Sequence, residues 1–187
     1  MASLEEKMAF LKTVGIELKP DVQIDDLENE ISLTDYEIEE FRRDDYEQLL
    51  CTLGDEDFSN DVWNFDAECV EGSGSYVRIA QSLAMLSDGN LPLEDIQDEV
   101  NNHNSRTGTA WLSFVLRGQA YKWDLKVDSD WVDYTVFSRF VQLHDSQNPS
   151  KRFIYYGLGQ NGLIAYATPE QLEKLNRQTG LEFIWLT

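Results

Sequence analysis

Apolar positions along the chain fall into helix-like and strand-like rhythms. The first run, from about Leu4 to Val14, is amphipathic at helical spacing. Ser3 precedes it, Glu6 completes a capping box, and Gly15 stands where the helix should stop. Pro20 then breaks the chain. A second helix is predicted from Thr34, whose box partner is Glu37, to about Leu53, with Gly54 at the C-terminal cap. Ile38, Phe41, Leu49, Leu50 and Leu53 make its apolar stripe. Asp35, Glu37, Glu39, Glu40, Asp44 and Glu47 fall largely outside that stripe, so one side should pack and the other should be acidic.

VWNFDAECV (62–70) alternates, with Trp63, Phe65, Ala67 and Cys69 on one face, and reads as a half-buried strand. EGSGS is a turn. The stretch 75–89 is a helix with Ile79, Leu83 and Leu86 as its stripe and Gly89 as its stop. Residues 91–108 carry mixed signals: a short element near Leu93–Val100, then a polar loop. The segment 109–127 is a hairpin with Gly118 in a short turn. Asp130 or Asp133 opens a helix containing Val136, Phe137, Phe140, Val141 and Leu143. KRFIYYG and GLIAYA form a second hairpin around LGQN. Thr168, Pro169, Gln171 and Gly180 mark a helix over 168–180, and LEFIWLT closes with a strand. Hairpins alternating with helices predict an α+β fold. The expectation is a mainly antiparallel or mixed sheet with helices on one face, plus an N-terminal acidic helical segment. The expected division is an acidic segment over 1–56, packed on a core domain over 57–187.

Composition makes the fold feasible: 42% of the chain is hydrophobic and 12% aromatic, ample for a core. Charge changes the picture more. Thirty-five acids oppose fifteen bases, a net charge of −20. The excess is local: residues 21–71 hold nineteen acids and two arginines, while 72–187 hold thirteen acids and ten bases. Such a field repels phosphate and anionic lipid and attracts basic proteins. Direct nucleic-acid binding is therefore not expected. The start carries no secretory pattern and no apolar run reaches about 18 residues, so a cytoplasmic chain outside the membrane is expected.

Candidate chemistry is sparse. Cys51 and Cys69 stand eighteen apart, matching no redox or metal motif, and read as structural free thiols. His103 lies in a polar stretch and His144 near a helix end, neither with a partner at ligand spacing. GLGQNG joins two strands and so reads as a turn, not as a nucleotide loop. DSDWVD (128–133) starts like a calcium loop, but Asp133 stands where Gly is required and Arg139 where a bidentate Glu is required. No metal and no cofactor is expected. Two readings of DSDWVD remain: a helix start with Trp131 as a staple, or an acidic, aromatic contact patch. Trp111, Tyr121, Trp123, Tyr155, Tyr156 and Tyr166 lie on alternating strands, so a sheet covered on one face would show some of them as a binding surface.

The ordered pieces GQAYKW, DWVD, RFIYY, GQNGLI, TPEQ and TGLEF resemble small bacterial cytosolic proteins of the polymorphic-toxin immunity type, across roughly residues 75–187. That resemblance implies a stoichiometric inhibitor without catalysis. The expected function is thus a non-catalytic binding protein that neutralises a basic toxin domain. Glu37, Glu40, Asp44 and Glu47 of the acidic helix, and Asp128, Asp130, Trp131 and Asp133 of the corner, are the candidate contacts. The alternatives are a nucleic-acid mimic, with carboxylates spaced like phosphates, and an enzyme whose site is assembled from distant residues.

Overall fold

The computed structural model describes residues 2–35, 45–55, 58–104, 107–147 and 149–187. In chain order its elements are α1 (Leu4–Lys12), α2 (Ile24–Asp35), α3 (Asp45–Leu53), β1 (Val62–Asp66), α4 (Ser75–Leu86), β2 (Leu93–Asn104) and β3 (Thr107–Leu116). They continue with β4 (Gln119–Leu125), α5 (Thr135–Asp145), β5 (Arg152–Leu158), β6 (Asn161–Ala167), α6 (Pro169–Thr179) and β7 (Ile184–Trp185). This is an α+β fold with two antiparallel sheets. The chain divides into two compact units: Met1–Phe65 with Phe153–Trp185, and Asp66–Arg152 with Leu186–Thr187. The N-terminal helices thus share a unit with the last hairpin, which a division at residue 56 does not anticipate.

In the first unit the strand order is β1-β6-β5-β7. One apolar cluster joins Leu11 of α1, Leu27 of α2, Leu50 and Leu53 of α3, Leu163 of β6 and Leu175 of α6. Each fully buried leucine contributes roughly 1.5–3 kcal/mol relative to exposure. The predicted ends of α1 and α6 are present. The Ser3 hydroxyl accepts the Glu6 N–H at 3.2 Å while Glu6 accepts the Ser3 N–H at 2.9 Å. Thr168 and Gln171 repeat that exchange at 3.2 and 2.9 Å.

The predicted helix from Thr34 to Leu53 is corrected. Thr34 lies in the last turn of α2, and the next described helix starts at Asp45. The box partner Glu37 falls outside the described residues. Helix α2 was hidden because its capping group comes from inside: the Asp26 carboxylate accepts the Gln23 N–H at 3.0 Å. Its apolar residues Ile24, Leu27 and Ile31 are sparse among acids, yet Leu27 is completely buried. The cap expected of Gly54 has another basis. A Cβ there would stand 2.5 Å from the Asn64 backbone nitrogen, so β1 passes too close for any side chain.

In the second unit the order is β2-β3-β4, antiparallel throughout. Alternation along β3 buries Ala110, Leu112, Phe114 and Leu116 on one face. Phe140 of α5 packs its ring against Phe114 and Trp123 on that face, at centroid distances of 5.2 and 4.8 Å. Residues 93–104 form one long strand, where a short element and a loop were expected, so His103 lies on β2. Asp, Glu and Asn disfavour strands, but pairing with β3 along the length overrides that preference. The β3–β4 turn is as predicted. Arg117 and Gly118 both have positive φ, 51° and 79°, the type I′ geometry that suits a two-residue hairpin. β1 departs from clean alternation: it ends at Asp66 and buries Val62 and Phe65.

Candidate functional site

The 128–133 corner is built by backbone pairing with a distant stretch. The Val70 N–H donates to the Asp130 carbonyl at 2.8 Å, and the Val132 N–H donates to the Ala67 carbonyl at 2.9 Å. Asp128 and Trp131 also form an isolated antiparallel bridge. Residues 66–71 therefore lie beside 128–132, which sequence separation conceals. Asp66, Glu68 and Glu71 are exposed on one stretch, and Asp128 and Asp130 on the other. Five exposed carboxylates thus come from two adjoining backbone segments. Burial raises the pKa of the half-buried Cys69 thiol, and the nearby Asp66 and Glu71 carboxylates add to that rise against Arg78.

The predicted contact residues differ in their surroundings. Asp128 and Asp130 are exposed and Trp131 is half-buried. Asp133 instead holds the corner together. Its carboxylate accepts the Lys126 N–H at 2.8 Å and the Thr135 N–H at 3.0 Å, and its own N–H donates to the Tyr76 hydroxyl at 3.0 Å. The helix cap position expected of Asp130 or Asp133 is filled by Tyr134, which makes no side-chain capping bond. Tyr134 is 53% exposed and adds an aromatic surface that the sequence did not single out. Its only cue was position, beside the acids at a helix start.

Glu47 is also an anchor. It accepts the Tyr156 hydroxyl at 2.7 Å, tying α3 to β5. Glu37, Glu40 and Asp44 lie outside the described residues, and so does the spacing on which a phosphate-mimicking face would depend.

The expected aromatic sheet face is mostly turned inward. Tyr121 and Trp123 pair in register with Phe114 and Leu112 and share the buried face. Trp111 alone among the three aromatics of β3 and β4 named as candidates occupies the outer face. There its indole N–H donates to Glu99 at 3.0 Å, and the Lys122 ammonium sits 4.0 Å from its ring centroid. Tyr155 is used as a cover, its ring lying against Gly157 and Gly162 of the second hairpin.

Catalytic chemistry finds little purchase in the groups described. His144 Nδ1 lies 3.0 Å from the Asp145 carboxylate, which also takes the Arg152 guanidinium at 2.6 Å. Such a pair could orient an imidazole, but the His144 side chain is 0% exposed, so no substrate atom reaches it. Burial raises the Cys51 thiol to about 11, with Glu47 and Asp55 adding to the rise, and so suppresses its thiolate. The N-terminus of α4, a natural anion site, already holds the Asp98 carboxylate. Asp98 accepts from Gly74, Tyr76 and Val77 N–H groups at 2.5, 2.8 and 3.1 Å. Among the described residues no group of three or more His, Cys, Asp or Glu is arranged to hold a metal ion. No helix among them is long and apolar enough to cross a membrane. Comparison of the chain with family models, characterised proteins and solved structures yields no match.

Proposed function

We propose that this chain is a non-catalytic binding protein that captures a basic protein partner on its acidic, aromatic corner. The observation that carries this reading is the juxtaposition of Asp66, Glu68 and Glu71 with Asp128, Asp130, Trp131 and Tyr134 on backbone pinned by hydrogen bonds. A pinned surface loses little conformational freedom on association. Exposed carboxylates speed the encounter with a cationic surface, and the two aromatics supply area that can anchor it. The resemblance to toxin-immunity proteins supports a bacterial cytosolic inhibitor whose partner is a basic toxin domain.

Co-expression with the genes flanking its own, followed by purification at two salt concentrations, tests the proposal. A basic, toxic protein should co-purify near about 0.05 M salt and be lost near about 0.5 M, where exposed charges are screened beyond a few ångströms. The double variant Asp128→Lys/Asp130→Lys should fold normally and fail to capture or neutralise it. A partner held equally at both salts, or held by the charge-reversed variant, refutes the corner as its site.

A further inference from the structure

The type I′ turn at Arg117–Gly118 fixes which backbone groups of β4 face away from its sheet. In a two-residue hairpin the flanking pair, here Leu116 and Gln119, is hydrogen-bonded, and bonded pairs recur at every second residue. Tyr121, Trp123 and Leu125 therefore turn their N–H and C=O groups toward β3. Ala120, Lys122 and Asp124 turn theirs outward, along an edge where all three side chains are exposed. The Asp124 carbonyl confirms this polarity, since it accepts the Arg139 guanidinium of α5 at 3.2 Å.

This edge is complementary to itself. If β4 met β4 of a second copy antiparallel about Trp123, outward-facing Lys122 would stand opposite Asp124, and Asp124 opposite Lys122. Opposite charges directly across a ladder stabilise it. Open edges of this kind invite strand addition. Arg139 stands in the way: its guanidinium takes the carbonyl that a second strand would need, while the group lies 5.6 Å from the Trp123 ring. We infer that Arg139 is a lock that keeps the β4 edge from pairing with the β4 edge of a second copy of this chain. The outer edge of β2 is similarly occupied where the Val100 N–H donates to Ser73 Oγ at 3.0 Å, which leaves β4 as the edge with matched charges.

Sedimentation across a concentration series at about 0.15 M salt, which screens the net repulsion between copies, tests the lock. Arg139→Met keeps the stem against Trp123 but frees the carbonyl. It should self-associate at least tenfold more tightly than the unaltered chain. Adding Lys122→Asp should abolish that association by placing two acids opposite each other. The further change Asp124→Lys should restore it. Should Arg139→Met unfold by circular dichroism, Arg139→Leu, which likewise has no donor for the Asp124 carbonyl, carries the same comparison. The inference is overturned if freeing the carbonyl leaves the mass distribution unchanged, or if the association ignores the charges at 122 and 124.

Discussion

Gly54 and Asp133 show how a residue can be read for one role and required for another. Gly54 ends α3, but what fixes it is the Asn64 backbone, 2.5 Å from where a Cβ would stand and held by an Asn64 N–H to Gly54 carbonyl bond of 2.9 Å. Gly54→Ala should therefore cost about 1–3 kcal/mol by overpacking. Gly72→Ala, where nothing lies within 4 Å, should be close to neutral. Urea denaturation of both variants makes the comparison, and equal losses would refute the close-approach account. Asp133 supports the corner as an acceptor. Burial alone would raise its carboxyl, but the Lys126 and Thr135 N–H groups and the Arg139 charge outweigh that and hold it below the ordinary aspartate range. A carboxyl depressed in the folded state stabilises fully above its unfolded value, about 3.9, and ceases to as pH falls through the lower folded value. Thermal melts should show Asp133→Asn less stable than the unaltered chain at pH 6, with the gap closing as pH drops below about 4. A gap constant from pH 6 to strong acid would contradict this role.

The elements differ in where their instructions reside. Helix α6 carries its own: Thr168, Pro169, Gln171 and Gly180 lie within the segment they delimit, and each acts where the sequence places it. Helix α4 does not, because its first N–H groups are taken by Asp98, more than twenty residues downstream on β2. Asp98→Ala should cost about 2 kcal/mol, since it leaves helix-start donors without a charged acceptor. Thr168→Ala should cost about 1 kcal/mol. Chemical denaturation distinguishes the two, and a loss at Asp98 no larger than that at Thr168 would mean the strand-borne cap matters little. The same contrast explains β2 and α2. Both are written in residues that disfavour or dilute their pattern, and each forms because a neighbour supplies pairing or a buried site.

At the scale of the molecule, negative charge is spread unevenly between the two units. The unit containing α1–α3 holds 22 acids and 7 bases, and the other holds 13 and 8. Net charge this far from zero opposes compactness through self-repulsion. Raising salt from about 0.02 to 0.5 M should therefore raise the melting temperature by several degrees, as screening shortens below the spacing of surface charges. A melting temperature that falls instead would show that attractive pairs such as Lys151–Asp88, 2.5 Å apart, outweigh the repulsion. The corner lies in the less charged unit, so its acidity is a matter of arrangement and not of bulk composition.

Local patterning along the chain was enough to read the α+β class, both hairpins, the capped helices α1 and α6, and the excess of acid. These follow from turn chemistry, periodicity and composition, all of which act within a few residues. Three-dimensional packing sets 66–71 against 128–132, makes Asp133 and Glu47 internal anchors, and turns Tyr121 and Trp123 inward. It also decided that the strands divide into two sheets, with the N-terminal helices packed beside the last hairpin. The physical reason is common to all of these. Backbone hydrogen bonds and close contacts between residues tens of positions apart leave no periodic trace in the segments they join.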